Sequence, residues 1–245
     1  MLTGAFVFMI AGFAMAPASF YAPVLKMSGI DVQYQALTGS VWRGQMKGVV
    51  AAGQPVGDLT YNLHALSLFS ANPQLDIELA GPSASGKGRV GFNLLQQAVA
   101  FRNVTAEFDL SSVKQYSLFG IPYDGAVRSK VNDLIWSRQG CGNANGDVWT
   151  DVLDASSRQY LGDGLVLSGP ASCAGDNLKI DLAGANAEGE TTISILVSPA
   201  LTYQLSASVE PHKPQLKQDL KLLGFEDKDG ALVYDAFGAL KGAGI

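Results

Sequence analysis

From residue 39 onward the chain alternates apolar and polar side chains in short runs. Leu59, Tyr61 and Leu63 form the first such run, followed by Leu75, Ile77 and Leu79 and by Val90, Phe92 and Leu94. Val104, Ala106, Phe108 and Leu110 continue the pattern, and Val127 and Val131 lead toward Ile135 and Trp136. Further runs cover 147–153, 164–168, Leu178-Ile180-Leu182, Ile193-Ile195-Val197 and Tyr203-Leu205-Ala207-Val209. A period of two predicts strands with one face buried and one wetter. Glycine-rich separators between short strands favour an antiparallel meander over parallel βαβ units. Helix signals are few. Residues 111–117 suggest one or two turns capped by Asp109 or Ser111. Pro214 opens a clearer helix, with Leu216, Leu220 and Leu223 on one side and Gly224 as its stop.

Residues 1–25 carry no charged side chain, and 1–16 have no polar face beyond Thr3. The segment reads as a transmembrane anchor. Ala14-Met15-Ala16 resembles a signal-peptidase site, but Pro17 is a poor first mature residue, so an uncleaved anchor is the preferred reading. Residues 1–16 span only about 24 Å as a helix, so the span is expected to run through Pro17 to Leu25. Lys26, Arg43 and Lys47 all follow the span and none precedes it. The positive-inside rule then asks either for an upstream start or for the terminal amine alone to set the topology.

The remaining residues, 26–245, read as one β-rich domain. Residues 75–86 (LDIELAGPSASG) and 178–189 (LKIDLAGANAEG) repeat, and Val41-Trp42 and Val148-Trp149 repeat in the same order. Two related modules are expected, 39–110 and 120–210. The fold class is therefore mainly β: an anchor helix, then an antiparallel, curved sheet built from two modules, with a short helix near the C-terminus.

Composition narrows the chemistry. The formal net charge is −5, which argues against nucleic-acid binding. Gly81-Pro82-Ser83-Ala84-Ser85-Gly86-Lys87-Gly88 falls one residue short of a phosphate-binding loop. The Mg²⁺-holding hydroxyl is replaced by Gly88, and a strand pattern follows where a helix is needed. Its repeat counterpart, Gly184 to Glu190, has Glu190 where Lys87 stands. The glycine spacing is instead expected to serve a turn with positive φ, and no nucleotide is expected. His64 and His212 are the only histidines and sit far from any nucleophile pattern. Asp227-Lys228-Asp229-Gly230 reads as a hairpin turn rather than a calcium loop. No catalytic, cofactor or metal residues are assigned, and no enzyme is expected. Cys141 and Cys173 flank two predicted strands and would meet at their open end, as a disulfide in an oxidising compartment or as two buried thiols. Trp42, Trp136 and Trp149 are expected in strands as core residues.

The order of several short motifs resembles the type II secretion system protein N family. Ala22-Pro23-Val24-Leu25 follows the anchor. Gly39, Val41, Trp42 and Gly44 sit within Leu37-Thr38-Gly39-Ser40-Val41-Trp42-Arg43-Gly44. Ile121-Pro122-Tyr123-Asp124-Gly125 leads to Ile135-Trp136, and Leu220-Lys221-Leu222-Leu223-Gly224 precedes a final strand. The resemblance implies a single-pass protein of the bacterial inner membrane with its bulk in the periplasm. It further implies a non-catalytic accessory of the secretion machinery whose partners are other secretion proteins: the inner-membrane platform, the outer-membrane secretin or the pseudopilins. The alternating apolar positions carry an alternative, an envelope lipid-binding or lipid-transfer protein with an apolar β groove.

Overall fold

The structure, a computed structural model, describes residues 32–51, 54–70, 72–93, 95–112, 117–118, 121–122 and 124–239. The expected anchor, 1–25, lies outside them. Two short strands, β1 (Val32–Gln33) and β2 (Ala36–Gly39), line the outer edge of β3 (Arg43–Ala51). From β3 the chain runs as a meander through β4 (Gln54–Leu63), β5 (Gln74–Ala80), β6 (Ala84–Asn93) and β7 (Ala98–Asp109). A small separate hairpin holds β8 (Ser117–Leu118) and β9 (Ile121–Pro122). Next, β10 (Ala126–Ser137) pairs with β7, and the meander resumes through β11 (Gly140–Thr150), β12 (Leu167–Ala174), β13 (Asn177–Asn186), β14 (Gly189–Val197) and β15 (Thr202–Pro211). The three-residue β16 (Glu226–Lys228) and then β17 (Ala231–Ala239) close the order, with β17 between β15 and β16. The result is one open, antiparallel, 15-stranded sheet, and its hydrogen bonding runs unbroken across the two predicted module ranges.

The registers sort the side chains cleanly. Leu79, Gly86, Ala106, Ser129 and Val148 fall in one row across β5, β6, β7, β10 and β11. Ile180, Ile195, Leu205 and Ala236 form another across β13, β14, β15 and β17. From β3 through β15, and in β17, this face carries no charged residue. The opposite face carries Glu78, Lys87, Glu107, Arg128, Lys130, Asp147, Lys179 and Asp181.

Two bulges preserve this segregation. Asn103 in β7 adopts φ 49°, and the β6–β7 register shifts between Lys87 and Arg89. The β10–β11 register shifts between Val131 and Asp133. An extra residue reverses the alternation beyond it. Phe101, Val99, Leu134 and Trp136 therefore stay on the apolar side, while Arg102 and Asp133 pair at 3.6 Å on the charged side.

Among the described residues, α-helices cover the apolar face at one end of the strands only. There α1 (Asp154–Leu161) links β11 to β12, α2 (Pro214–Leu222) links β15 to β16, and a 3₁₀ turn, Leu110–Ser112, follows β7. Val148, Leu165, Leu167 and Leu182 form the buried cluster at that end, with Leu153 and Ile193 packed against it. Leu216 of α2 and Leu232 of β17 are buried as well. Among the described side chains only Leu167 and Leu232 fall below 2% exposure. Most of the apolar face away from this end is half-buried, with no second layer over it among the described residues.

Several expectations need correction. None of Gly81, Gly86, Gly88, Gly184 or Gly189 has positive φ. Gly86 and Gly88 lie inside β6, and a Cβ on Gly86 would meet Thr105 O at 2.7 Å. A Cβ on Gly184 would meet Val166 O at 2.3 Å. Glycine is needed there for close approach of neighbouring strands, not for a turn. Trp42 lies in the β2–β3 turn rather than in a strand. Trp149 is 39% exposed on the charged face, because its neighbour Val148 takes the buried position. The segment 147–153 ends as strand at Thr150, and β12 starts only at Leu167. The sequence reading missed α1, whose apolar stripe is short. Asp154 and Arg158 pair across one turn at 2.8 Å, and Gly162 (φ 82°) ends it by donating to Arg158 O. The expected helix at 111–117 is seen as Leu110–Ser112, with 113–116 outside the described residues.

Gly169→Ala tests the close approach, since its Cβ would lie 1.8 Å from Asp181 O. The expected loss is about 3 kcal/mol. Gly142→Ala, whose Cβ would meet nothing closer than 3.5 Å, is expected to be nearly neutral. Thermal or urea unfolding of both variants checks the pair.

Candidate interaction surface

The chain's distinctive surface is the apolar face just described, a trough floored by strands. Its closed side is held by a polar network around α1 and the β13–β14 turn. Ser157 donates to Asp163 O at 2.7 Å, and Asn186 donates to Ser157 Oγ at 3.0 Å. The N–H of Ala187 donates to the Asp163 carboxylate at 3.0 Å, which helps hold that carboxyl below its ordinary range. Glu188, with its side chain 8% exposed, takes the Lys213 ammonium just ahead of α2. Glu188 is thus a clamp on the covering segment, whereas Glu190, the counterpart of Lys87, lies opposite Glu210 across β14 and β15.

No described α-helix lies along the other long side of the trough. Leu75, Val99, Trp136, Leu178, Val197 and Tyr203 sit near this rim, on the apolar face. Here β11 and β12 are no longer paired with each other, their register ending at Gly146 and Ala171. The Cys141–Cys173 disulfide joins them at that point, with Cα atoms 5.7 Å apart. A shallow recess also opens at the rim beside β17, between Tyr203, Ala236 and Gly238 on one face and Phe237 on the other.

The motif around Gly39 builds a hairpin. Gly39 (φ 99°) pairs with Gly44, and Ser40 Oγ accepts from the N–H groups of Trp42 and Arg43, each at 3.3 Å. A Cβ on Gly44 would strike the Tyr61 hydroxyl at 2.4 Å, and that hydroxyl donates to Ser40 O at 2.8 Å. Both glycines, and the small Ser40, are thereby required by local geometry. Val41 and Trp42 are the turn's half-buried tip. Trp136 lies on the apolar face and Trp149 on the charged one, so the structure does not gather the three tryptophans into one site.

The charged face offers ion pairs rather than a reaction centre. Asp76 accepts from Arg89 Nε at 2.7 Å and contacts His64 Nε2 at 2.6 Å. The Arg89 hydrogen bond, with a further contribution from His64, lowers the Asp76 pKa against a modest opposing effect of burial. On the other side of the sheet, under α2, Asp227 of the short β16 lies opposite Leu232 and meets Lys217 and Lys221 of that helix at 2.8 and 3.2 Å. The turn Asp229-Gly230 has positive φ at both residues, 53° and 95°, the conformation of a tight hairpin turn. Among the described residues no group of three or more His, Cys, Asp or Glu side chains is placed to hold a metal ion. No described helix is long and apolar enough to cross a membrane.

The family model for "Type II secretion system (T2SS), protein N" matches residues 31–234. The chain is also similar to the type II secretion system protein N of Aeromonas hydrophila, at 24% identity over 232 residues, covering 87% of each chain. No solved structure matches. The chain belongs to the type II secretion system protein N family.

Two predictions come from this surface. Replacing Cys141 and Cys173 by serine removes the rim staple, and a loss of about 2–4 kcal/mol is expected. Comparing the unfolding of oxidised parent and double variant measures it. The depressed pKa of Asp76 means its pairing stabilises the fold fully above the ordinary carboxylate range. That contribution is lost as pH falls through the lowered value. Asp76→Asn should cost at most about 1 kcal/mol near neutrality, since the group is exposed to screening. The melting curves of variant and parent should then converge on acidification below about pH 4.

Proposed function

We propose that this chain is a non-catalytic accessory of the type II secretion machinery, working by contact with other secretion proteins. Residues 1–25 anchor it in the bacterial inner membrane, and 26–245 stand in the periplasm. Family membership supports the secretion role. The anchor and its orientation rest on the uncharged N-terminal segment, and the periplasmic location agrees with the disulfide.

The observation that carries the contact role is the unequal treatment of the two sheet edges. The outer edge of β3 is occupied by β1 and β2, which together pair with 44–47 and 50–51. The outer edge of β17 is paired only at Ala231–Val233, by the short β16. No described strand pairs with 235–239 on that side, and Phe237 is 88% exposed. Natural sheets cover or charge such an edge unless it receives another strand. Strand addition gives affinity through main-chain bonds and selectivity through alternate side chains, and Phe237 is the apolar anchor within reach. The inner-membrane platform, the secretin and the pseudopilins are the partners proposed.

Phe237→Lys should leave stability within about 0.5 kcal/mol, as an exposed position. It should lower recovery of secretion components with the full-length chain by roughly fivefold, about 1 kcal/mol of contact energy. Affinity purification from cells that express the whole machinery measures this. Equal recovery by the variant, or recovery of only unrelated envelope proteins by the parent, would overturn the proposal.

A further inference from the structure

We propose that the apolar trough binds phospholipid, with acyl chains along the sheet and head groups at the open rim. The first support is chemical. Across twelve consecutive strands, from β3 to β15 and β17, the trough presents no charge, although charges crowd the opposite face of the same strands. A surface helix or loop of a partner protein carries polar flanks beside its apolar stripe. The floor of this trough offers nothing charged to meet them, whereas an acyl chain needs no polar complement.

The second support is dimensional. Twelve strands about 4.8 Å apart give a floor roughly 53 Å long, while one leaflet of a bilayer is about 15 Å thick. The trough therefore has room for several chains in succession, and no single helix of ordinary length fills it. The third support is the cross-section. The helices α1 and α2 close one long side around Leu165, Leu167 and Leu216, and no described α-helix closes the other. An amphiphile seated there keeps its chains dry and its head group wet. The β7 and β10 bulges add a fourth argument. They turn Arg102 and Asp133 away from the trough and keep its floor uncharged along the full strand length. A bulge that served only sheet curvature would not need that outcome.

The proposal stands apart from the edge-docking reading, since it concerns the face of the sheet and not β17's free edge. It is tested in cells that make the full-length chain and are grown on radiolabelled phosphate. A photo-crosslinking amino acid is placed at Val131, Ile180 or Leu205 on the trough floor. Lys130, Thr192 and Gln204 on the opposite face serve as the comparison. Phospholipase-sensitive labelled adducts are expected at the three floor positions and no more than background at the other three. Equal labelling of both faces would mean simple membrane proximity and would overturn the proposal. So would adducts that are only protein, or only lipopolysaccharide. A filling variant provides the second readout: Ala236→Trp is expected to abolish the adduct at Leu205 while leaving the adduct at Val131. Retention of the Cys141–Cys173 bond reports that the variant is folded. An unchanged adduct at Leu205 in the folded variant counts against binding along the floor.

Discussion

An antiparallel sheet with one uncharged face must keep that face from water, and the described residues supply only a partial second layer. A sandwich would fold another sheet over it, and a barrel would close it on itself. Here the sheet stays open and the covering is confined to one end of the strands. The buried cluster of Val148, Leu165, Leu167 and Leu182 is small for the size of the sheet. Stability must therefore be spread along the ladder of strand pairs rather than concentrated in one core. That distribution explains the weight carried by local devices. A disulfide joins β11 and β12 where their pairing stops, and Glu188 clamps Lys213 beside the covering helix. Glycines let neighbouring strands approach where any Cβ would collide.

The same constraint joins fold to function. A trough left half open is a surface for something apolar, and a β17 edge on which no described strand meets 235–239 is a surface for a strand. The two surfaces differ in chemistry and place. The edge selects by main-chain hydrogen bonds and the exposed Phe237, the floor by the absence of charge. A protein of the secretion machinery that uses both would link a protein contact to a lipid one at a single sheet.

Alternation alone made the strands and the antiparallel meander readable, because each run such as Leu178-Ile180-Leu182 reports its own face. The Pro214 helix was readable from its start and stop residues. Three features were not. The bulges at Asn103 and at Val131–Asp133 reverse the alternation, and a period-two reading cannot see the reversal. It placed Ile135 with Trp136, whereas Leu134 shares the apolar face with Trp136. The glycines of 81–88 and 184–189 were visible as spacing, but their cause is the backbone of a strand distant in sequence. Trp149 read as core because it lies in a strand-like segment beside Val148, although adjacent residues in a strand point to opposite faces. The interaction surfaces were legible only in outline. The apolar face follows from the runs, while its open side and the bare edge at 235–239 depend on which strand pairs with which.

The proposal that lipid rather than protein fills the apolar face can be checked on the intact molecule. A density map of the full-length chain taken from its own membrane tests it most directly. Elongated, unbranched density is expected along the floor between β5 and β15, with the rim accessible to solvent. Side-chain density from another polypeptide on that floor, or a sheet collapsed on itself with the floor dry and empty, would contradict it.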